Sequence, residues 1–103
     1  MPTINELEAI LQKEPDDVFL NFGLSMALAA AGRPQEALER FERTLALDPD
    51  YVPAHFQKGR LLADVGRTED AREALEHGIE VARKVGDEHA KGEMGEFLVM
   101  LEA

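Results

Sequence analysis

Residues 15–48 read PDDVFLNFGLSMALAAAGRPQEALERFERTLALD, and residues 49–82 read PDYVPAHFQKGRLLADVGRTEDAREALEHGIEVA. A shift of 34 residues lays a Pro-Asp pair on a Pro-Asp pair and a Gly-Arg pair on a Gly-Arg pair. The same shift also matches Val18 with Val52, Phe22 with Phe56, Leu28 with Leu62, Ala29 with Ala63, Ala37 with Ala71, Glu39 with Glu73 and Glu42 with Glu76. Self-similarity at this period is typical of helical hairpins that bury their apolar faces against one another. The repeat therefore predicts an all-α fold, a right-handed stack of antiparallel helical hairpins.

Capping and helix-breaking residues set the limits of six predicted helices and leave no predicted strand. Thr3 and Glu6 have the spacing of a capping box at the start of the first helix. Gly32 is expected to end the second helix, and Thr68 is expected to cap the fifth. The predicted helices are 3–13, 18–31, 34–48, 53–65, 69–84 and 88–101.

The composition excludes several classes of function. The chain has 103 residues, a formal net charge of −10 and no cysteine. The acidic excess argues against binding to nucleic acid or to an anionic membrane, and the lack of cysteine excludes disulfides and thiolate metal sites. No secretion leader and no apolar run of bilayer length is visible, so the expected location is the cytoplasm. The acidity itself has two interpretations, a preference for basic partner segments or a solvation device as in salt-adapted proteins.

The two repeats resemble the tetratricopeptide repeat, whose pattern is W-x2-L-G-x2-Y, then A-x3-F, then P. The matching residues are Asn21, Leu24, Ser25, Leu28, Ala37, Phe41 and Pro49 in the first repeat, and His55, Lys58, Gly59, Leu62, Ala71, Leu75 and Arg83 in the second. Asn21 and His55 replace the family's usual aromatic residue. The resemblance implies one domain over residues 1–103, with a partial repeat at 3–17, repeats at 18–51 and 52–85, and a capping helix at 87–102.

In this family the first helix of each repeat lines a concave groove. The resemblance implies a non-enzymatic interaction module that binds a peptide or helix of a partner protein in such a groove. The implied groove residues are Phe19, Phe22, Met26, Ala30, Phe56, Arg60 and Asp64. An apolar or amphipathic partner segment fits this lining, with an acidic residue to meet Arg60 and basic residues to meet the surrounding carboxylates. In an alternative interpretation, Phe22 and Phe56 pack against a neighbouring helix.

A second hypothesis is a self-assembling structural unit that forms a homodimer through the groove or through the last helix. Val99 and Met100 favour the last helix, because they flank its main apolar stripe. No catalytic residue, cofactor site or metal site is predicted, and the chain is not expected to be an enzyme. Glu73, His77 and Glu80 share a helix face, but a solvated charged face is the preferred interpretation of that spacing. The identity of the partner stays open.

Overall fold

The computed structural model describes residues 2–103, which form six α-helices and no strand. The helices are α1 (Ile4–Lys13), α2 (Val18–Ala30), α3 (Pro34–Leu47), α4 (Val52–Asp64), α5 (Thr68–Val85) and α6 (Glu88–Glu102). Each helix starts and ends within one residue of its predicted limits, so the predicted all-α fold is confirmed. The helices form two compact units, which are described separately: a first unit that ends at Pro49 and a second unit that begins at Asp50. The division of the chain into repeats at 18–51 and 52–85 stays a prediction.

Side-chain caps and glycines fix the helix ends. The Thr3 hydroxyl accepts the Glu6 N–H at 3.1 Å and the Glu6 carboxylate accepts the Thr3 N–H at 3.2 Å, so the predicted capping box is present. Asp17 accepts the N–H of Leu20 at 2.8 Å and caps α2. The glycines that follow α2, α4 and α5 have φ of 74°, 83° and 81°, a left-handed conformation that ends a helix without the strain of a side chain. These are Gly32, Gly66 and Gly86.

The start of α5 differs from the prediction. Thr68 does not cap this helix but is its first residue, and Arg67 precedes it without a side-chain cap. Arg67 donates instead to Asp70 at 2.9 Å, across the first turn. Arg33 has the same position before α3 and pairs with Glu36 at 2.6 Å. Both helices therefore begin with an ion pair over the first turn, which competes with the hydroxyl cap that Thr68 suggested.

A buried amide ties α2 to its neighbours in the first unit. Asn21 is fully buried, and its Nδ2 donates to the carbonyls of Pro15 at 3.0 Å and Asp17 at 2.8 Å. Its Oδ1 accepts from Nη1 of Arg40, on α3, at 2.9 Å. Asn21 thus stands where the tetratricopeptide pattern has an aromatic side chain. Its hydrogen bonds remove the cost of burying a polar group. This network fixes α2 against α3 and against the turn before α2.

Apolar side chains hold the rest of each unit together. In the first unit the core contains Leu7, Leu11, Leu24, Leu28, Ala37, Leu38 and Phe41. In the second unit a cluster of Val52, Leu75, Val81, Ala82 and Met94 joins all three helices, with Phe97 and Leu98 packed against it. Among residues 2–103, no helix is long and apolar enough to cross a membrane.

Two glycines of the second unit lie where helices touch. A Cβ on Gly59 would come within 2.8 Å of the Leu75 side chain. A Cβ on Gly78 would come within 2.7 Å of the Met94 sulfur and 2.9 Å of the His55 Cβ. Real Cβ atoms do not approach other heavy atoms so closely, and packed interiors yield little to added volume. The lack of a side chain at Gly78 and Gly59 therefore permits the close packing of these helices.

Candidate functional site

The predicted groove residues of the first unit lie along one side of α2, which we call the α2 surface (Phe19, Phe22, Met26 and Ala30). Phe19 is 71% exposed, Ala30 is exposed, and Phe22 and Met26 are half-buried. The Phe22 ring lies 6.2 Å from the ring of Phe41, on α3, at an interplanar angle of 58°. Phe22 therefore also packs against a neighbouring helix, as the alternative interpretation has it. Phe19 is the side chain of this surface with the most apolar area open to a ligand.

The predicted groove residues of the second unit lie along α4 and form what we call the α4 surface (Phe56, Arg60 and Asp64). Phe56 is half-buried, whereas Arg60 and Asp64 are exposed. The guanidinium carbon of Arg60 lies 5.8 Å from the centroid of the Phe56 ring, which is within the range of a cation–π contact. This contact holds a positive charge beside an aromatic face, an arrangement that suits a ligand with an acidic group next to an apolar one.

Phe97, on α6, belongs beside the α4 surface and was missed by sequence reasoning. Its ring is half-buried and lies 6.2 Å from the Phe56 ring, at 71°, which is an edge-to-face arrangement. Phe56 thus packs against a neighbouring helix too. The sequence placed Phe97 on the apolar stripe of α6 but contained no signal for this pairing, because α6 follows the repeat pattern only loosely.

A shallow cleft of about 310 Å³ lies elsewhere on the first unit and contains none of the predicted groove residues. Its lining comes from α1, α2 and α3 and consists of Glu8, Leu24, Leu28, Glu36, Glu39, Arg40 and Arg43. The hydrogen bond from Arg33 lowers the pKa of Glu36 from its usual value. Arg43 pairs with Asp16 at 2.6 Å. The charged rim of this cleft is therefore largely engaged by neighbouring side chains.

No group of three His, Asp or Glu side chains within residues 2–103 is arranged to hold a metal ion. The His77 ring lies 4.9 Å from the ring of His55, and Glu80 pairs with Arg83. Of Glu73, His77 and Glu80, the three side chains predicted to share a helix face, the last two therefore contact other residues.

Comparisons with known proteins identify the fold. The family model of the tetratricopeptide repeat matches residues 28–92. A tetratricopeptide repeat domain protein from Salinibacter ruber, solved by NMR, is 32% identical, with a TM-score of 0.81 over 85% of this chain and 89% of that chain. The solution structure of a protein from Bordetella parapertussis is 30% identical, with a TM-score of 0.87 over 99% of this chain and 89% of that chain.

A more distant structure has the same fold with a ligand bound. The type III secretion chaperone SycD of Yersinia enterocolitica, in complex with a peptide of the translocator YopD, is 17% identical, with a TM-score of 0.86 over 96% of this chain and 76% of that chain. Among curated proteins, no sequence matches this chain. The family model covers more than half of the 103 residues, and a tetratricopeptide repeat domain at 32% identity spans most of them, so the chain belongs to the tetratricopeptide repeat family.

Proposed function

We propose that this protein is an interaction module that binds a peptide or helix of a partner protein, with its α2 surface and its α4 surface each as a candidate contact site. The observation that carries the proposal is the exposed ring of Phe19 beside the half-buried Phe22 and Met26, because a contiguous apolar patch is typical of an interaction site. The peptide bound by the distant neighbour SycD supports the same class of function. The proposal treats the chain as a binding protein without catalysis, in the cytoplasm.

The side chains of the two surfaces indicate what kind of ligand would fit them. The α2 surface offers apolar area from Phe19, Phe22 and Met26, and it suits an apolar side chain of the partner. The α4 surface offers the Arg60 guanidinium against Phe56, and it suits an acidic residue of the partner. Burying three aromatic or Met anchors contributes roughly 5–9 kcal/mol, at about 1.5–3 kcal/mol each, against an association cost of about 4–15 kcal/mol. A micromolar or weaker affinity follows from this balance.

Replacing Phe19 with lysine is expected to weaken peptide binding by roughly 10–100-fold, because the apolar contribution of one Phe is about 1.5–3 kcal/mol. The structure makes Phe19 a better choice than Phe22, whose ring packs on Phe41, so its loss would also disturb the core. The measurement begins with a displayed library of random 12-residue peptides. Peptides selected on the wild-type chain are then titrated against both chains.

Val85→Lys is the matched control, since Val85 is 47% exposed, lies at the end of α5 and belongs to neither surface. It places the same new charge on the chain and should leave the affinity unchanged. Peptides selected from the same library on the Arg60→Glu variant should contain fewer acidic residues. Equal affinity of the selected peptides for wild type and Phe19→Lys would refute the role of the α2 surface.

The second candidate function is a homodimer formed through α6. Val99 is 69% exposed and Met100 is 73% exposed, which supports it. The acidic residues of α6 oppose it, because each copy would bring them to the shared interface. We therefore expect light scattering after size exclusion, at tens of micromolar, to give the mass of one chain. The mass of two chains, together with a return to one chain for Val99→Lys, would establish self-assembly instead.

A further inference from the structure

The same three-residue pattern occurs in α2, α4 and α6. The eighth residue of each helix is small: Ser25, Gly59 and Gly95. The eleventh residue is leucine in each, and the twelfth is a small or β-branched residue. The full pattern is Ser25, Leu28 and Ala29 in α2; Gly59, Leu62 and Ala63 in α4; and Gly95, Leu98 and Val99 in α6. Three helices of one chain thus carry an equivalent face.

In α2 and α4 a following antiparallel helix covers this face. Within the first unit, Ser25 is fully buried and Leu28 is only 4% exposed. Within the second unit, Leu62 is 3% exposed and the Leu75 side chain of α5 lies directly over Gly59. The covering helices α3 and α5 share the spacing Ala-x3-Phe or Ala-x3-Leu, and the large residue of that motif, Leu75, is the one that meets Gly59.

In α6 the Gly95 and Val99 part of this face is open, whereas Leu98 packs against the core of the second unit. A Cβ on Gly95 would meet no atom within 4 Å, in contrast to the 2.8 Å contact at Gly59. Val99 is 69% exposed and Leu98 is half-buried. The adjacent side of α6 holds the helix in place, because Met94 is fully buried against α5. Arg72 adds an ion pair from α5 to Glu102 at 2.9 Å.

We infer that the face of α6 formed by Gly95, Leu98 and Val99 binds one amphipathic helix of a partner protein, antiparallel to α6. The two covered faces of the same chain define its shape, a helix with the motif Ala-x3-Leu or Ala-x3-Phe that sets its large side chain over Gly95. The flanks of that helix are basic. They meet α6, whose four glutamates, Glu88, Glu93, Glu96 and Glu102, outnumber its one lysine, Lys91, although Lys91 pairs with Glu88 and Arg72 of α5 pairs with Glu102.

Charge argues for a different protein rather than for a second copy of this chain. A second α6 would bring the same four glutamates to the interface, and a second chain adds another net charge of −10. Like charges placed opposite each other cost binding energy, whereas a basic helix gains it. The α6 face shares no residue with the α2 and α4 surfaces, so separate variants test the two proposals.

The test uses a synthetic helix as the probe. This is a fluorescein-labelled peptide with the sequence of α5, Thr68–Val85, in which the exposed Glu73, Glu76 and Glu80 are replaced by lysine. Its anisotropy is titrated with the full chain. The wild type should bind it, and Gly95→Leu should weaken binding by roughly tenfold or more, because the new side chain occupies the space that the peptide leucine needs. A peptide that also carries Leu75→Ala should bind as weakly.

Three controls decide the outcome. Gly95→Leu should not lower the thermal unfolding midpoint, since the site is empty and leucine favours a helix more than glycine does. Gly23→Leu makes the same change in α2, where a Cβ also meets no atom, and should leave peptide binding intact. Ile10→Lys, at an exposed residue of α1 that belongs to neither surface, should leave it intact too. No binding by the wild type, or equal binding by Gly95→Leu, overturns the proposal. A dimer of the chain that Gly95→Leu dissociates would overturn it as well, in favour of a second copy.

Discussion

Replacing Phe41 with alanine is expected to lower the free energy of unfolding by about 3–5 kcal/mol, the usual cost of removing a fully buried phenylalanine. Phe41 is only 1% exposed and lies in the core of the first unit. Its loss leaves a cavity under α2 and removes the ring contact with Phe22, at 6.2 Å. Urea denaturation followed by the helical circular-dichroism signal measures the change. The fit should allow the two units to unfold separately.

Phe41→Leu is the control for this prediction, because the second repeat has leucine at the equivalent position, Leu75, which is also fully buried. A large apolar side chain that nearly fills the space should cost about 1.5 kcal/mol or less. If alanine and leucine at this position destabilised the chain equally, the contribution of packing volume at Phe41 would be contradicted.

Replacing Asn21 with alanine is expected to cost about 2 kcal/mol, because it removes the hydrogen bonds of a fully buried amide to partly buried or exposed partners. Three bonds are lost: two that the amide nitrogen donates to the Pro15 and Asp17 carbonyls, and one that its oxygen accepts from Arg40. Leaving a charged guanidinium group without its acceptor costs more stability than leaving a neutral group without one. The loss should appear in urea denaturation as a lower midpoint with an unchanged slope.

A double-mutant cycle with Arg40→Met isolates the contact between the two side chains. Residues in one hydrogen-bond network couple by about 0.5–3 kcal/mol, whereas independent sites add to within about 0.5 kcal/mol. Additive effects of Asn21→Ala and Arg40→Met would show that the bond between them contributes nothing to stability.

The helix limits could be predicted from the sequence because local chemistry decides them. The capping box of Thr3 and Glu6 and the left-handed Gly32, Gly66 and Gly86 act within a single turn of the chain. The shift at Thr68 shows the limit of such rules. A hydroxyl cap and an Arg67–Asp70 ion pair compete for the same turn, and spacing alone does not decide between them.

Contacts between helices were less predictable than the helices themselves. Spacing placed Phe22 and Phe56 on the first helix of each repeat, but it did not show that their rings turn toward Phe41 and Phe97. The hydrogen bonds of Asn21 join residues up to 19 positions apart, which no local pattern encodes. The binding role of the α2 and α4 surfaces stays a prediction, since it depends on a partner whose chemistry these surfaces only outline.

The missing side chain at Gly78 has a consequence for how this chain can change over evolution. At this point α4, α5 and α6 meet, with the His55 Cβ and the Met94 sulfur filling the space of the absent methyl group. Every amino-acid replacement at this position adds at least one carbon atom there, which must displace the Met94 side chain or the His55 Cβ. Replacement of this glycine is therefore expected to weaken the packing of α6 on α5, so the attachment of the last helix restricts which residues descendants of this gene can carry here.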